Sequence, residues 1–145
     1  MIKTVSFKPE HMKNIEKADM DSGVLEFIGE IDSRAEYYAQ SGPAITMLLD
    51  DVVLAIGGVI KYWQGVGEGW MMVSPEGRNK VFSLYKTVDT FLQTCMDNGY
   101  HRIQSCVLVN NKNAHKFIMR LKFIPEGMMV NYGPNKENYI RYVRI

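Results

Sequence analysis

Apolar and polar positions follow two different periods along this chain, and the changes of period predict its elements. Alternation over residues 4–7 predicts a first strand. Pro9 suits the first turn of a helix, which the pattern continues over residues 11–20. An Asp-Ser pair at residues 32–33 suits a helix cap, so a second helix should follow it and end near Gln40.

The middle of the chain predicts a three-stranded meander. Its strands cover residues 44–49, 52–63 and 69–73, and the short links between them favour antiparallel pairing. Two aspartates at residues 50–51 make the first turn, and glycines between residues 65 and 69 loosen the second link.

The longest periodic stretch follows the meander. Its apolar residues recur every three or four positions and form one stripe of a helix: Val81, Leu84, Tyr85, Val88, Phe91, Leu92, Cys95 and Met96. Gly99 ends this helix. A strand over residues 102–109, a second amphipathic helix over residues 111–121 and two strands near residues 123–132 and 139–144 complete the chain.

The order of these elements limits the fold. A strand, a long helix and a strand in succession form a crossover, so strands 69–73 and 102–109 should run parallel while the other neighbours pair antiparallel. With 145 residues and no linker or repeat, the chain suits one domain over residues 1–145. We therefore predict an α/β fold with a mixed, mostly antiparallel sheet and flanking helices.

Charge is distributed unevenly, although the whole chain carries a formal net charge of only +1. Residues 1–51 carry five basic and ten acidic side chains, whereas the remainder carries twelve basic and six acidic ones. A basic C-terminal part suits an anionic ligand, and it equally suits an ordinary solvated surface. Its basic residues are not interleaved with aromatic ones as in single-strand binders, so nucleic-acid binding is not favoured.

Cysteine spacing and hydropathy exclude some classes of protein. Cys95 and Cys106 have no CxxC partner, so we expect buried thiols rather than a metal site. No apolar run is long enough to span a membrane, and Lys3 and Lys8 interrupt the first apolar stretch. The expectation is a soluble cytoplasmic protein that binds no metal.

A candidate anion-binding segment lies where the third meander strand meets the long helix. It consists of Val73, Pro75 and Arg78, followed by Asn79, Lys80, Val81, Phe82 and Ser83. The spacing resembles the signature V-x-P-x-x-(Q/R)-x-x-G-x-(G/A) of the GNAT acyltransferases, with Val81 and Ser83 at the two small positions. The resemblance implies acetyl-CoA as cofactor, its pyrophosphate against the amides of residues 79–83, and charge from Arg78 and Lys80. A capped helix with a basic first turn is the alternative.

A later stretch resembles the second signature of that family, N-x-x-A-x-x-(L/F)-Y-x-K-x-G-F. Its matching or substituted positions are Asn111, Ala114, Phe117, Arg120 and Phe123. The resemblance implies that Asn111 and Phe117 contact the pantetheine arm. Ile118 stands where the family has a tyrosine that can protonate the departing thiolate, and isoleucine has no such proton.

The resemblance also implies a reaction, in which an amine attacks the thioester directly within a ternary complex. The backbone amide of Met72 or Val73 would stabilise the oxyanion. Glu68, just before the predicted fourth strand, would accept the amine proton unless it is a simple surface residue. Tyr132 and Tyr139 on the late strands are candidate substitutes for the missing acid.

Other features leave alternatives open. Trp63 and Trp70 suit either a substrate pocket or sheet packing. A glycine-bearing apolar strand at residues 54–58, the missing motif glycines and the length resemble the GNAT-like internal virion proteins of short-tailed phages. The second hypothesis is therefore a structural or interaction protein with little catalysis, with a virion partner or a second copy in the host cytoplasm or the virion.

Overall fold

The computed structural model describes residues 1–15 and 31–145 of the chain. Its elements follow in this order: β1 (Lys3–Ser6), α1 (Pro9–Ile15), α2 (Ile31–Gln40), β2 (Ala44–Leu49), β3 (Val52–Trp63), β4 (Val66–Val73), α3 (Pro75–Arg78), α4 (Val81–Asp97), β5 (Arg102–Leu108), α5 (Lys112–Arg120), β6 (Ile124–Met129) and β7 (Tyr139–Arg144). None of the described helices is both long and apolar enough to cross a membrane.

The described strands form one sheet with the order β1-β2-β3-β4-β5-β7-β6. β4 and β5 are the parallel pair that the crossover predicts, and the other neighbouring pairs are antiparallel. The parallel register begins at Val66 opposite Arg102 and ends at Glu68 opposite Gln104. Both strands continue beyond that point without pairing, so they diverge. This divergence, which the fold prediction included, opens the sheet at its centre.

Helices cover both faces of the sheet and bury an apolar core on each. The stripe of α4 packs on one face together with Ile118 and Leu121 from α5. α1 and α2 cover the opposite face, where Met12, Ile15 and Tyr38 are buried. The mixed sheet between flanking helices is thus the architecture that the sequence predicts.

Glycine packing moves the start of β4. The strand begins at Val66 rather than at residue 69, because Gly67 lies inside the sheet instead of loosening a link. A Cβ added at Gly67 would lie 2.4 Å from Cγ1 of Val59. Glu68 is therefore a strand residue and does not precede the strand.

Three further boundaries differ from the predicted ones. α2 begins at Ile31, so the Asp-Ser pair at residues 32–33 lies within its first turn instead of capping it. β6 ends at Met129, which places Tyr132 in the connection to β7 and not on a strand. Residues 16–20 of the predicted first helix lie outside the described residues.

A short helix that the apolar pattern did not predict, α3, joins β4 to α4. Its cap residue Ser74 accepts a hydrogen bond from the Gly77 amide at 3.0 Å and donates one to the Leu54 carbonyl at 3.1 Å. Gly77 packs so closely on β3 that an added Cβ would lie 2.1 Å from the Leu54 oxygen. These contacts hold the start of α4 beside the diverging strands.

Candidate active site

A single large cleft of about 1260 Å³ follows the divergence of β4 and β5. At its apex, the Ser105 hydroxyl donates a hydrogen bond to the Gly69 carbonyl at 3.0 Å. Its lining extends from Arg78 and Val81 at one end to Glu68 and Tyr132 at the other. Residues that belong to both halves of the predicted site therefore share one continuous cavity.

The first end of the cleft lies at the start of α4. The amides of Val81, Phe82 and Ser83 open that helix and have no acceptor within it, because they occupy its first turn. Lys80 is the cap residue, and its side chain makes no capping hydrogen bond. Arg78 and Val81 line the cleft, whereas Asn79, Lys80, Phe82 and Ser83 are exposed at the same turn and are not among the lining residues.

Two basic side chains at this end escaped the sequence prediction. Lys116 and Arg120 lie one helical turn apart on α5 and line the cleft. The guanidinium of Arg120 stands 5.1 Å from the ring centroid of Phe82, whose side chain is 72% exposed. The four-residue spacing of Lys112, Lys116 and Arg120 was the available signal for this basic face.

Asn111 and Phe117 also line the cleft, as the second motif predicts. Oδ1 of Asn111 is used locally, because it accepts the Ala114 amide at 3.1 Å and caps α5. That leaves the Nδ2 amide of Asn111 as the group that can contact a ligand. Ile118 is buried in the core below the cleft and supplies no titratable group.

The strand register decides which amides of β4 face the cleft. Ser74 donates its amide to Leu54 on β3, and the amides of a strand alternate in direction. The Met72 amide consequently points to β3, where Met72 pairs with Ile56. The Val73 amide points to the opposite side, towards β5. Met72 is thus a wrong choice as oxyanion donor, and Val73 keeps a suitable direction.

Glu68 lies at the second end of the cleft, with its side chain only 16% exposed, which excludes a simple surface residue. Its Oε1 accepts hydrogen bonds from Tyr62 Oη at 3.2 Å, Gln104 Nε2 at 3.2 Å and Arg141 Nη1 at 2.9 Å. Its Oε2 accepts from Arg141 alone, at 3.0 Å. One lone pair of Oε2 therefore remains for a further donor.

No family sequence model matches the chain, and no curated protein sequence matches it. Solved structures do match over almost its whole length. An N-acetyltransferase from Staphylococcus aureus has a TM-score of 0.80 and 16% identity, covering 99% of this chain and 98% of that one.

Two further matches agree with the first. A ribosomal-protein-alanine N-acetyltransferase from Brucella melitensis has a TM-score of 0.79 and 10% identity, with 100% and 99% of the two chains covered. An acetyltransferase of the GNAT family from Streptococcus pneumoniae has a TM-score of 0.71 and 10% identity, with 99% and 98% covered. This chain has the GNAT fold.

Cys106 and two tyrosines stand beside Glu68 in this version of the GNAT fold. Cys106 on β5 lies within hydrogen-bonding contact of Tyr132, and the rings of Tyr132 and Tyr139 meet edge-on with centroids 5.4 Å apart. Burial raises the pKa of the Cys106 thiol to about 11, and it also raises the pKa values of Tyr132 and Tyr139. All three groups are therefore protonated near neutral pH. The geometry brings both predicted acids into the cleft with Glu68.

The two tryptophans separate into different environments. Trp70 lines the cleft and stacks on Tyr38, with ring centroids 4.3 Å apart and planes inclined by 16°. It therefore both packs on α2 and borders the cavity. Trp63 is 65% exposed at the end of β3 and is not among the lining residues.

None of the three histidines lines the cleft of this GNAT fold. His115 is structural: its Nε2 lies 3.0 Å from the carbonyl oxygens of Leu108 and Val109, so Nε2 carries the proton and donates it. Its Nδ1 therefore accepts from the Tyr142 hydroxyl, at 2.7 Å. This histidine ties α5 to the diverging end of β5.

Proposed function

We propose that the protein is an acetyl-CoA-dependent N-acetyltransferase that transfers an acetyl group to an amine within a ternary complex. One observation carries the proposal. A continuous cleft connects unbonded amides and basic side chains at the start of α4 with a buried carboxylate, Glu68, at its other end. The GNAT fold supports this reading, because the structures that share it are named as acetyltransferases.

The residues at the start of α4 fit a pyrophosphate. The amides of residues 79–83 would receive its oxygens, since a helix start attracts anions through free N–H groups and the helix dipole. Arg78 and Lys80 would add charge-assisted hydrogen bonds, and Lys116 and Arg120 would supply further positive charge from α5. Val81 leaves its amide available although it lacks the small size of the family's glycine.

The pantetheine arm would lie between the diverging strands. The unpaired edge of β4 beyond Glu68 offers backbone groups of Gly69, Met71 and Val73 towards that space. Asn111 Nδ2 and the ring of Phe117 border the same space from α5. The arm would thus complete backbone hydrogen bonds that the divergence leaves open.

Acetyl-CoA supplies a thioester whose carbonyl carbon the amine attacks, so that a C–N bond forms and the C–S bond breaks. The Val73 amide would stabilise the oxyanion. Glu68 would accept the amine proton, directly or through water, and Tyr132, Tyr139 or water would protonate the departing sulfur. Because an unperturbed thiol has a pKa of about 8.5, the missing tyrosine at Ile118 slows this step without preventing it.

Ile118 motivates a second candidate, a GNAT-fold protein that binds partners and has little or no catalysis. Val81 and Ser83 at the motif's small positions support the same reading. A virion component or a second copy of the chain would then be the partner.

Calorimetry of acetyl-CoA binding tests the first proposal. The unmodified protein should bind acetyl-CoA, and the double change Arg78→Ala and Lys80→Ala should weaken binding by about 1.5–3 kcal/mol, as expected for hydrogen bonds to charged groups. Lys86→Ala, an exposed change further along α4, is the matched control and should leave affinity unchanged. No binding by the unmodified protein would overturn the proposal. Binding without release of CoA from any amine would favour the second candidate.

A further inference from the structure

Aromatic rings form most of the wall around Glu68. Tyr38 and Trp70 present a stacked pair, and Tyr62 and Tyr132 border the same end of the cleft with exposed rings. Such rings bind flat apolar groups, and they tolerate one ammonium group over a ring face. The wall therefore favours a ligand with an apolar body.

Charge is sparse at this end of the cleft. Among the cleft-lining residues that the structure describes, Glu68 is the one carboxylate, and Arg141 balances its charge. The basic lining residues are Arg78, Lys116 and Arg120. A second ammonium group on the acceptor would find no further carboxylate among these residues and would be repelled by their cations.

The hydrogen bonds of Glu68 define where an amine can dock. Three donors occupy Oε1, whereas Oε2 has Arg141 as its one protein donor. One N–H group of a primary amine can therefore bind Oε2. The carbon skeleton next to that nitrogen would then contact Tyr62 and the stacked pair.

We propose that the acceptor is a monoamine, with one primary amino group on a flat apolar body, and not a polyamine. This inference rests on the proposed acetyltransferase function and specifies its acceptor. In the transfer, the amine nitrogen bonds to the acetyl carbon and the thioester C–S bond breaks. One proton leaves the nitrogen through Glu68, and one reaches the sulfur, so that an amide and a thiol are the products.

Three matched amines test the inference through release of CoA: 2-phenylethylamine, pentylamine and 1,5-diaminopentane. The second ammonium group should lower kcat/KM at least about tenfold relative to pentylamine. The aromatic ring should raise kcat/KM about tenfold, within the range that apolar pocket contacts give. Tyr62→Leu should reduce the advantage of the ring, whereas Tyr62→Phe, which keeps the ring, should preserve it. Both changes are at an exposed side chain and should leave the fold intact.

The outcomes separate the acceptor inference from the proposed function. Turnover of 1,5-diaminopentane that equals or exceeds that of pentylamine would overturn the inference while acetyl transfer stands. Absence of turnover with every amine would count against the proposed function instead. In that case, affinities of the same amines measured by calorimetry with CoA present decide the inference. Tighter binding of 2-phenylethylamine supports it, and tighter binding of the diamine overturns it.

Discussion

Arg141 Nη1 lies 2.9 Å from Oε1 and 3.0 Å from Oε2 of Glu68, and the pair joins β7 to β4 across the intervening β5. The two side chains are only 19% and 16% exposed. Removal of either partner would leave a charge without its counterion in a partly buried place. The pair therefore links the stability of the sheet to the geometry of the acceptor site.

Arg141→Met should lower the free energy of unfolding by about 1–3 kcal/mol, because Glu68 loses its charged donor. Adding Glu68→Gln in the same chain should recover part of that loss, which a double-mutant cycle of urea unfolding measures. Arg102→Met is the control, since it breaks a more exposed pair with Glu126. Equal losses from the two arginine changes would contradict the prediction.

Glu68→Gln tests the role of the carboxylate in catalysis. Glutamine keeps the shape of the side chain but cannot accept the amine proton, so kcat/KM should fall by about 10²-fold or more. CoA release at saturating acetyl-CoA measures this, with the exposed Glu10→Gln as control. A Glu68→Gln protein as fast as its parent would remove Glu68 from the mechanism.

Ile118→Tyr should raise turnover, because it places a hydroxyl where the cleft has no acid on α5. Ile118→Phe is the matched control, since it adds the ring without the hydroxyl. Both changes overfill a packed position and should lower stability similarly, by about 1–3 kcal/mol. If the phenylalanine variant gains as much turnover as the tyrosine variant, the gain is not due to proton donation.

Acid should destabilise the fold partly through Asp89. Burial alone would raise the pKa of Asp89, but hydrogen bonds from Arg144 and Lys122 outweigh it and hold that pKa below its usual value. The associated stability is present above the unfolded pKa of about 3.9 and is lost as pH falls through the lower folded value. Urea midpoints at successive pH values should therefore fall less between neutral and acidic pH in Asp89→Asn than in the parent.

Gly77→Ala should destabilise the fold and weaken acetyl-CoA binding together. An added Cβ would lie 2.1 Å from the Leu54 oxygen, so α3 must move away from β3 and carry the start of α4 with it. Gly69→Ala is the stability control, because its nearest neighbour would be Ile103 Cγ2 at 3.5 Å, an ordinary contact distance. Thermal melts of both variants, with and without acetyl-CoA, measure the two effects.

Apolar periodicity predicted most of the sheet and the long helix, since burial on one face imposes the pattern directly. β2, β3 and β7 have the predicted bounds, and the crossover correctly gave the parallel pair. Gly67 misled the prediction of β4, because glycine can mark a turn or a close approach, and the neighbour Val59 decides which. Local sequence does not contain that information.

The candidate site was predictable only in part, for the same kind of reason. Glu68, Tyr132 and Tyr139 meet in the cleft, but the partner Arg141 comes from a strand 73 residues further along the chain. Strand register also decides that the Val73 amide, and not that of Met72, faces the cleft. Motif spacing fixes neither the register nor the pairing across β5.

The position of β7 between β5 and β6 has a consequence for how the molecule assembles. β6 reaches the rest of the sheet only through β7, although it precedes β7 in the chain. Until β7 docks, both β5 and β6 present open hydrogen-bonding edges of the kind that promote association between chains. Docking of this one strand closes those edges, and it also delivers Arg141 to Glu68. Completion of the sheet and construction of the acceptor site are therefore the same late event in folding.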